Sequence, residues 1–194
     1  GEYDVPEGAE FPAEAVLTEY DPVGRAMGAM RASMRRMAEA CVLRRLIVEE
    51  LHVGNPVMVM GDFNDGEHAI SSGEAPFKNY SWMLRHNAKT SNDRYSKEQN
   101  IQITEDIECV RLHSAEKQFV RKSARDIVFT MAFGGNFESI DQIYMSRHFM
   151  AGTPNSIGEM EYFSVLNDHL TDGSHPEAPY NKLASDHGQI IAHM

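Results

Sequence analysis

Val57-Met58-Val59-Met60-Gly61-Asp62-Phe63-Asn64 is the stretch around which the rest of the chain organises. Four apolar residues in a row read as a short strand, Val57 to Met60, buried on both faces. The run enters a polar turn, Gly61-Asp62-Phe63-Asn64-Asp65-Gly66. A helix feeding a buried strand whose C-terminal end carries polar groups is where α/β folds place active sites. Asp62 and Asn64 are two apart, so in extended backbone their side chains leave on one face. A carboxylate beside a carboxamide can orient a water and hold a phosphoryl oxygen as charge develops.

Upstream, Gly54-Asn55-Pro56 stops a helical pattern that spans Arg25 to Leu51. Met27, Met30, Met34, Met37 and Cys41 recur at helical steps, continued by Leu43, Leu46, Ile47 and Leu51. This stripe is expected to pack into the core, with Cys41 a small buried residue and Arg31, Arg35, Arg36 and Arg44 on the polar side. Residues 1–24 are rich in Pro, Gly and Glu and read as an irregular extension.

Downstream, residues 67–105 read as polar and irregular, anchored by Trp82 and Met83, with a helix over Arg111–Arg125. Tyr80, Trp82, Lys78, Arg85, Lys89 and Arg94 in that insertion are expected to cap the sheet; the alternative is a substrate groove. Val128–Phe133 and Phe137–Ser146 flank Gly134-Gly135-Asn136, the pattern of a hairpin. Residues 150–180 read as turn-rich, and Gly188–Ala192 as a terminal strand preceded by Ser185-Asp186-His187.

The 194 residues suit a single domain, 1–194. Apolar residues at 42% and charged residues at 24% fit a soluble globular protein, secreted or cytoplasmic, and no apolar run could span a bilayer. Two cysteines make no disulfide framework. The net charge of −11 opposes a protein that grips nucleic acid by basic residues alone, so such a substrate would need divalent cations or a local basic patch.

Two further groups complete the chemical candidates. Asp141 stands inside the strand-like Ile140-Asp141-Gln142-Ile143, where an unpartnered carboxylate would be costly. Asp186 and His187 put a metal-capable carboxylate beside an imidazole. Other chemistries fit poorly. A calcium loop counted from Asp62 would need Gly and Glu where Glu67 and Gly73 stand. No His-Glu-x-x-His, paired Cys or Gly-x-Ser-x-Gly pattern occurs. His52, His86 and His113 read as surface residues.

The order GDFN, I-D-x-I, then SDH resembles the endonuclease/exonuclease/phosphatase superfamily of deoxyribonuclease-like, metal-dependent phosphoesterases, from the Arg25 helix to the C-terminus. Phe137-Glu138-Ser139-Ile140-Asp141-Gln142-Ile143 looks most like its bacterial, nuclease-type branch. The resemblance implies an α/β fold forming part of a four-layer α/β/β/α sandwich. It implies that Asp62 orients or deprotonates the attacking water and Asn64 holds the scissile phosphate. Asp186 would bind the metal, Mg2+ or Mn2+ with Ca2+ as the third hard cation, while His187 contacts the phosphate or moves a proton. Asp141 would hydrogen-bond His187 and fix its tautomer.

The family's earlier half carries a metal-binding Glu, an Asn and a His that have no counterpart here. Glu19 is a poor substitute, because Asp21-Pro22 follows it and favours a turn. The expectation is therefore the C-terminal portion of a longer domain, with the N-terminal half absent. Such a piece would be inactive alone and self-associate through its open sheet face. The substrate would be a phosphoester, DNA or RNA first, with a small-molecule or lipid-headgroup phosphatase as the alternative. A non-catalytic interaction module is the alternative of another class.

Overall fold

The computed structural model describes residues 22–64, 94–122, 128–172 and 183–194. Expectations about residues 1–21, Glu19 among them, and about the 65–93 insertion, including Lys78, Tyr80, Trp82, Met83, Arg85, His86 and Lys89, fall outside these. The chain is mixed α/β, with helices on small antiparallel sheets.

Helix α1 spans Pro22–His52 and delivers the chain to strand β1, Met58–Asp62. Helix α2, Lys97–Val110, lies where the sequence reads as irregular. Its start carries a capping box: the Ser96 hydroxyl accepts from the Gln99 amide while the Gln99 side chain accepts from the Ser96 amide. Strand β2 (Leu112–Ser114) and helix α3 (Ala115–Lys122) follow. Strands β3 (Met131–Phe133) and β4 (Asn136–Glu138) form a hairpin turned by Gly134 and Gly135 at φ of 63° and 75°, but its second arm stops at Glu138 instead of running to Ser146, and residues 141–146 pair in a different sheet. Strand β5, Asp141–Ser146, is followed by a 3-10 turn, β6 (Tyr162–Leu166) and β7 (Gln189–His193).

The central sheet runs β1-β5-β2, all antiparallel. The strand buried on both faces is therefore β5, not the Val57–Met60 run, which lies at the edge of the sheet among the described residues, with Met60 exposed. On one face Tyr144 packs with Ala40, Ile47 and Leu51 of α1 and Leu112 of β2, and Phe63 meets Tyr144 edge-on at 5.4 Å between ring centroids. On the other, Ile143 and Met145 pack with Ala115 and Phe119 of α3 and with Phe163, Ile190 and Ala192 of the β6–β7 pair. The layers thus run helices, sheet, then a second small sheet with α3.

The methionine stripe of α1 is not core. Met27, Met30 and Met34 are more than half exposed, and Cys41 is an exposed free thiol. The buried face is set half a helix later by Ala40, Arg44, Ile47 and Leu51, where the sheet lies beneath the helix. Arg44, expected on the polar side, is buried there, and its Nη1 donates to the Val110 carbonyl of α2 at 2.7 Å. Burial holds its guanidinium below the ordinary arginine range. His113 is half-buried on β2 rather than a surface residue, while His52 is exposed. No helix among the described residues is long and apolar enough to cross a membrane.

Candidate functional site

Three strand ends meet at one edge of the inter-sheet core. The β1–β5 register places Asp62 directly opposite Asp141, so their side chains leave the sheet on one face. Asp62 is held by its own turn: the Asn64 amide donates to Oδ1 at 2.7 Å and Asn64 Nδ2 donates to Oδ2 at 2.8 Å. Asn64 sits at φ 49°, a left-handed conformation that asparagine adopts more readily than most residues. Its carboxamide is turned onto Asp62. The Phe63 amide donates to the Ile140 carbonyl at 3.0 Å, closing the strand pair below the two carboxylates.

His187 comes from the bend before β7. Its Nδ1 lies 3.0 Å from Asp141 Oδ2 and 3.3 Å from Oδ1. A carboxylate only accepts, so Nδ1 carries the proton and Nε2 is left as the basic nitrogen. The side chains are 29% and 16% exposed, accessible at the pocket but shielded enough for the pair to matter. Asp62, Asp141 and His187 each offer a ligand atom, and these atoms lie within 4.8 Å of one another. Asp186, adjacent to His187, is exposed and stands outside that group.

An open pocket of about 360 Å³ covers the group. Its lining includes the apolar Met60, Ile143 and Ile190 and the polar Asp62, Asp141, Ser185 and His187. No lysine or arginine lines it among the described residues. Carboxylates facing each other across a ladder destabilise it. That arrangement suits a site that receives positive charge, either a protonated imidazole or a hard cation bound through oxygen.

Further contacts fix the site, one from within the Ser185-Asp186-His187 motif and others from residues outside any motif. The Ser185 hydroxyl accepts from the His187 amide at 3.0 Å, a role a serine two residues upstream of a turn often takes. His169 Nε2 donates to the His187 carbonyl at 3.0 Å from the turn after β6, a region that reads only as turn-rich. Gly188 is pressed so closely against Asn167 and Thr130 that an added Cβ would sit 3.2 Å from each. Comparison with protein-family models, with curated proteins and with solved structures returns no match.

Proposed function

We propose that this chain carries the site of a metal-dependent phosphoesterase, a hydrolase of nuclease-type phosphodiester bonds. We further propose that its fold is part of the four-layer sandwich of the endonuclease/exonuclease/phosphatase superfamily. The observation that carries the reading is the convergence of Asp62, Asp141 and His187 on one pocket. The helix–sheet–sheet layering on which they stand supports the sandwich.

The donor set fits magnesium or manganese, because two carboxylates face each other with no lysine or arginine in the described lining to neutralise them. The metal ligand that the resemblance implies is Asp186, exposed and outside the Asp62–Asp141–His187 group, and within that group Asp62 and Asp141 are the carboxylates that would hold such an ion. When bound, it supplies Lewis-acid stabilisation of phosphoryl charge. The residues do the rest. Asp62, clamped by Asn64, is oriented to take a proton from an attacking water. Asn64, at the same corner, would also hold the scissile phosphate. His187 donates Nδ1–H to Asp141, which keeps Nε2 facing the reaction and stabilises the imidazolium formed if it accepts a proton.

A second reading, a phosphatase acting on a small molecule or lipid headgroup, is favoured by the same pocket. Its partly apolar lining and the chain's net charge of −11 suit one phosphate better than a polyanion. The self-association expected of an open sheet would use the outer face of β6–β7, where Tyr162 and Leu166 are each 50% exposed. Sedimentation at high concentration tests it, and a monomer would exclude it.

Hydrolysis of plasmid DNA and of a generic bis-phosphodiester, with Mg2+ or Mn2+, is the direct test. It is run on this chain and on the longer protein expected to contain it. Loss of turnover in Asp186→Ala and Asp141→Ala supports the reading. Turnover that survives Asp186→Ala leaves the ion to the Asp62–Asp141 pair alone. No turnover and no Mn2+ binding by either form would put the non-catalytic module first.

A further inference from the structure

Asp141 and His187 belong to segments 46 residues apart, yet their side chains meet at 3.0 Å. Such a distance has to be set by something other than the pair, since a single partly exposed carboxylate–imidazole contact holds a geometry weakly. The strand ladder fixes Asp141 relative to Asp62 but says nothing about His187, because β7 pairs with β6 and not with the central sheet.

One residue touches both backbones. Thr130 is completely buried, just before β3. Its hydroxyl oxygen accepts from the Ile140 amide at 3.0 Å and from the Asp141 amide at 3.1 Å. Its carbonyl accepts from the Gly188 amide at 2.7 Å, and its own amide donates to the Glu138 carbonyl at 2.9 Å. The side chain of Thr130 therefore holds the residue bearing the carboxylate, and its backbone holds the residue that follows the imidazole.

Gly188 makes the second grip close. Its missing Cβ lets the chain approach the Thr130 Cα, and Asn167 Nδ2 closes the far side by donating to the Phe129 carbonyl at 3.0 Å. A hydroxyl that accepts two buried amides is hard to replace. Without it, two N–H groups are left unsatisfied at the start of β5, and the strand end bearing Asp141 must move to find partners.

We infer that Thr130 is the positioning residue of the Asp141–His187 pair, tying the start of β5 to the segment before β7 so that the imidazole keeps its proton on Nδ1. The inference rests on that pair being the working acid–base pair of the proposed site, but its test reads the histidine itself. The full 194-residue chain is labelled with 15N, and the His187 ring nitrogens are observed for the parent and for Thr130→Val and Thr130→Ser.

In the parent and in Thr130→Ser, which keeps the hydroxyl, Nδ1 is expected to be protonated. In Thr130→Val, close in shape but without an acceptor, the ring is expected to relax towards the Nε2–H form that free histidine favours. Metal-dependent hydrolysis should fall roughly 10- to 100-fold in kcat, with KM little changed, as for other groups that orient a site from behind. A folded Thr130→Val with the parent's tautomer overturns the inference, as does a parent whose His187 is not Nδ1-protonated.

If Thr130→Val does not fold, Thr130→Cys decides. Its sulfur is a weak acceptor, so partial relaxation is expected and a parent-like ring overturns the inference. The two proposals fail separately. If neither this chain nor the longer protein hydrolyses anything, while Thr130→Val loses the Nδ1 proton, the phosphoesterase reading sinks and Thr130 keeps its role. A parent that hydrolyses, with Thr130→Val matching it in tautomer and rate, does the reverse.

Discussion

Strand β5 carries a histidine partner at each end, and the two ends differ in everything except the pairing. At its start, Asp141 meets His187 in the lining of a pocket, both side chains partly exposed. At its end, the Ser146 hydroxyl lies 3.0 Å from His148 Nδ1, with both residues buried and Ser146 also accepting the Val57 amide at 3.1 Å. In the sequence, Ser146-Arg147-His148 and Ser185-Asp186-His187 share the same serine-to-histidine spacing. A buried hydroxyl–imidazole pair that is also bonded to a neighbouring strand ties the sheet together. A carboxylate–imidazole pair with an open side has a proton to give or take and a substrate to reach. Access and charge separate the two, and neither is a property of the local string.

Breaking each end in turn tests that contrast. The largest effect is expected at the open end. His187→Ala should lower metal-dependent hydrolysis in the active form by roughly 100- to 10,000-fold while leaving the urea midpoint close to the parent's. The matching change at the closed end, His148→Ala, should do the opposite. It removes a ring that is 5% exposed and should cost about 2–4 kcal/mol of stability, seen in urea unfolding, with the remaining folded protein fully active. Equal loss of activity from both variants would erase the distinction.

Asn64 tests whether Asp62 is oriented or merely present. Asn64→Gly accepts the φ of 49° and keeps the backbone bond to Asp62 but loses the carboxamide. Hydrolysis should fall roughly 10- to 100-fold without a change in melting temperature. Smaller again is Ser146→Ala, which leaves the Val57 amide and the His148 ring without their partner. A loss of about 1–3 kcal/mol in chemical denaturation is expected, with unchanged Mn2+ binding.

The smallest effect belongs to access without chemistry. Met34 is 62% exposed on the first half of α1, so Met34→Gln should change stability by no more than about 0.5 kcal/mol. A loss of several kcal/mol would mean that this face of the helix is covered after all.

Much of the site is legible because each piece lies in one short string. Gly61-Asp62-Phe63-Asn64 reads as a strand end whose carboxylate and carboxamide share a side, and they do meet, although the contact closes a turn rather than an extended strand. Asp141 reads as a charge that needs a partner, because a strand on both sides of it implies burial. Helix α2 and strand β6 are not legible. Their apolar residues are few and weakly periodic: α2 has no buried residue, and β6 alternates only as Phe163 and Val165 on its inner side. The capping box at Ser96 and Gln99 is the one local signal that could have marked α2. Arg44 and the methionine stripe mislead for a related reason. Periodicity shows that a helix has an apolar face, but which turns of it lie over a sheet depends on where the sheet ends.

Local sequence was sufficient for α1 and its stop, for the polar end of β1, for the Gly134-Gly135 hairpin and for the terminal strand, since each depends on a few neighbouring residues and the backbone they allow. The tertiary structure decided the rest. It made β5 and not β1 the buried strand, set Asp62 against Asp141, chose His187 over His148 as the accessible imidazole, and brought Thr130 between the two halves of the pair. Those outcomes depend on register and burial, which arise from packing between segments far apart in the chain, and no local pattern of residue types encodes that distance.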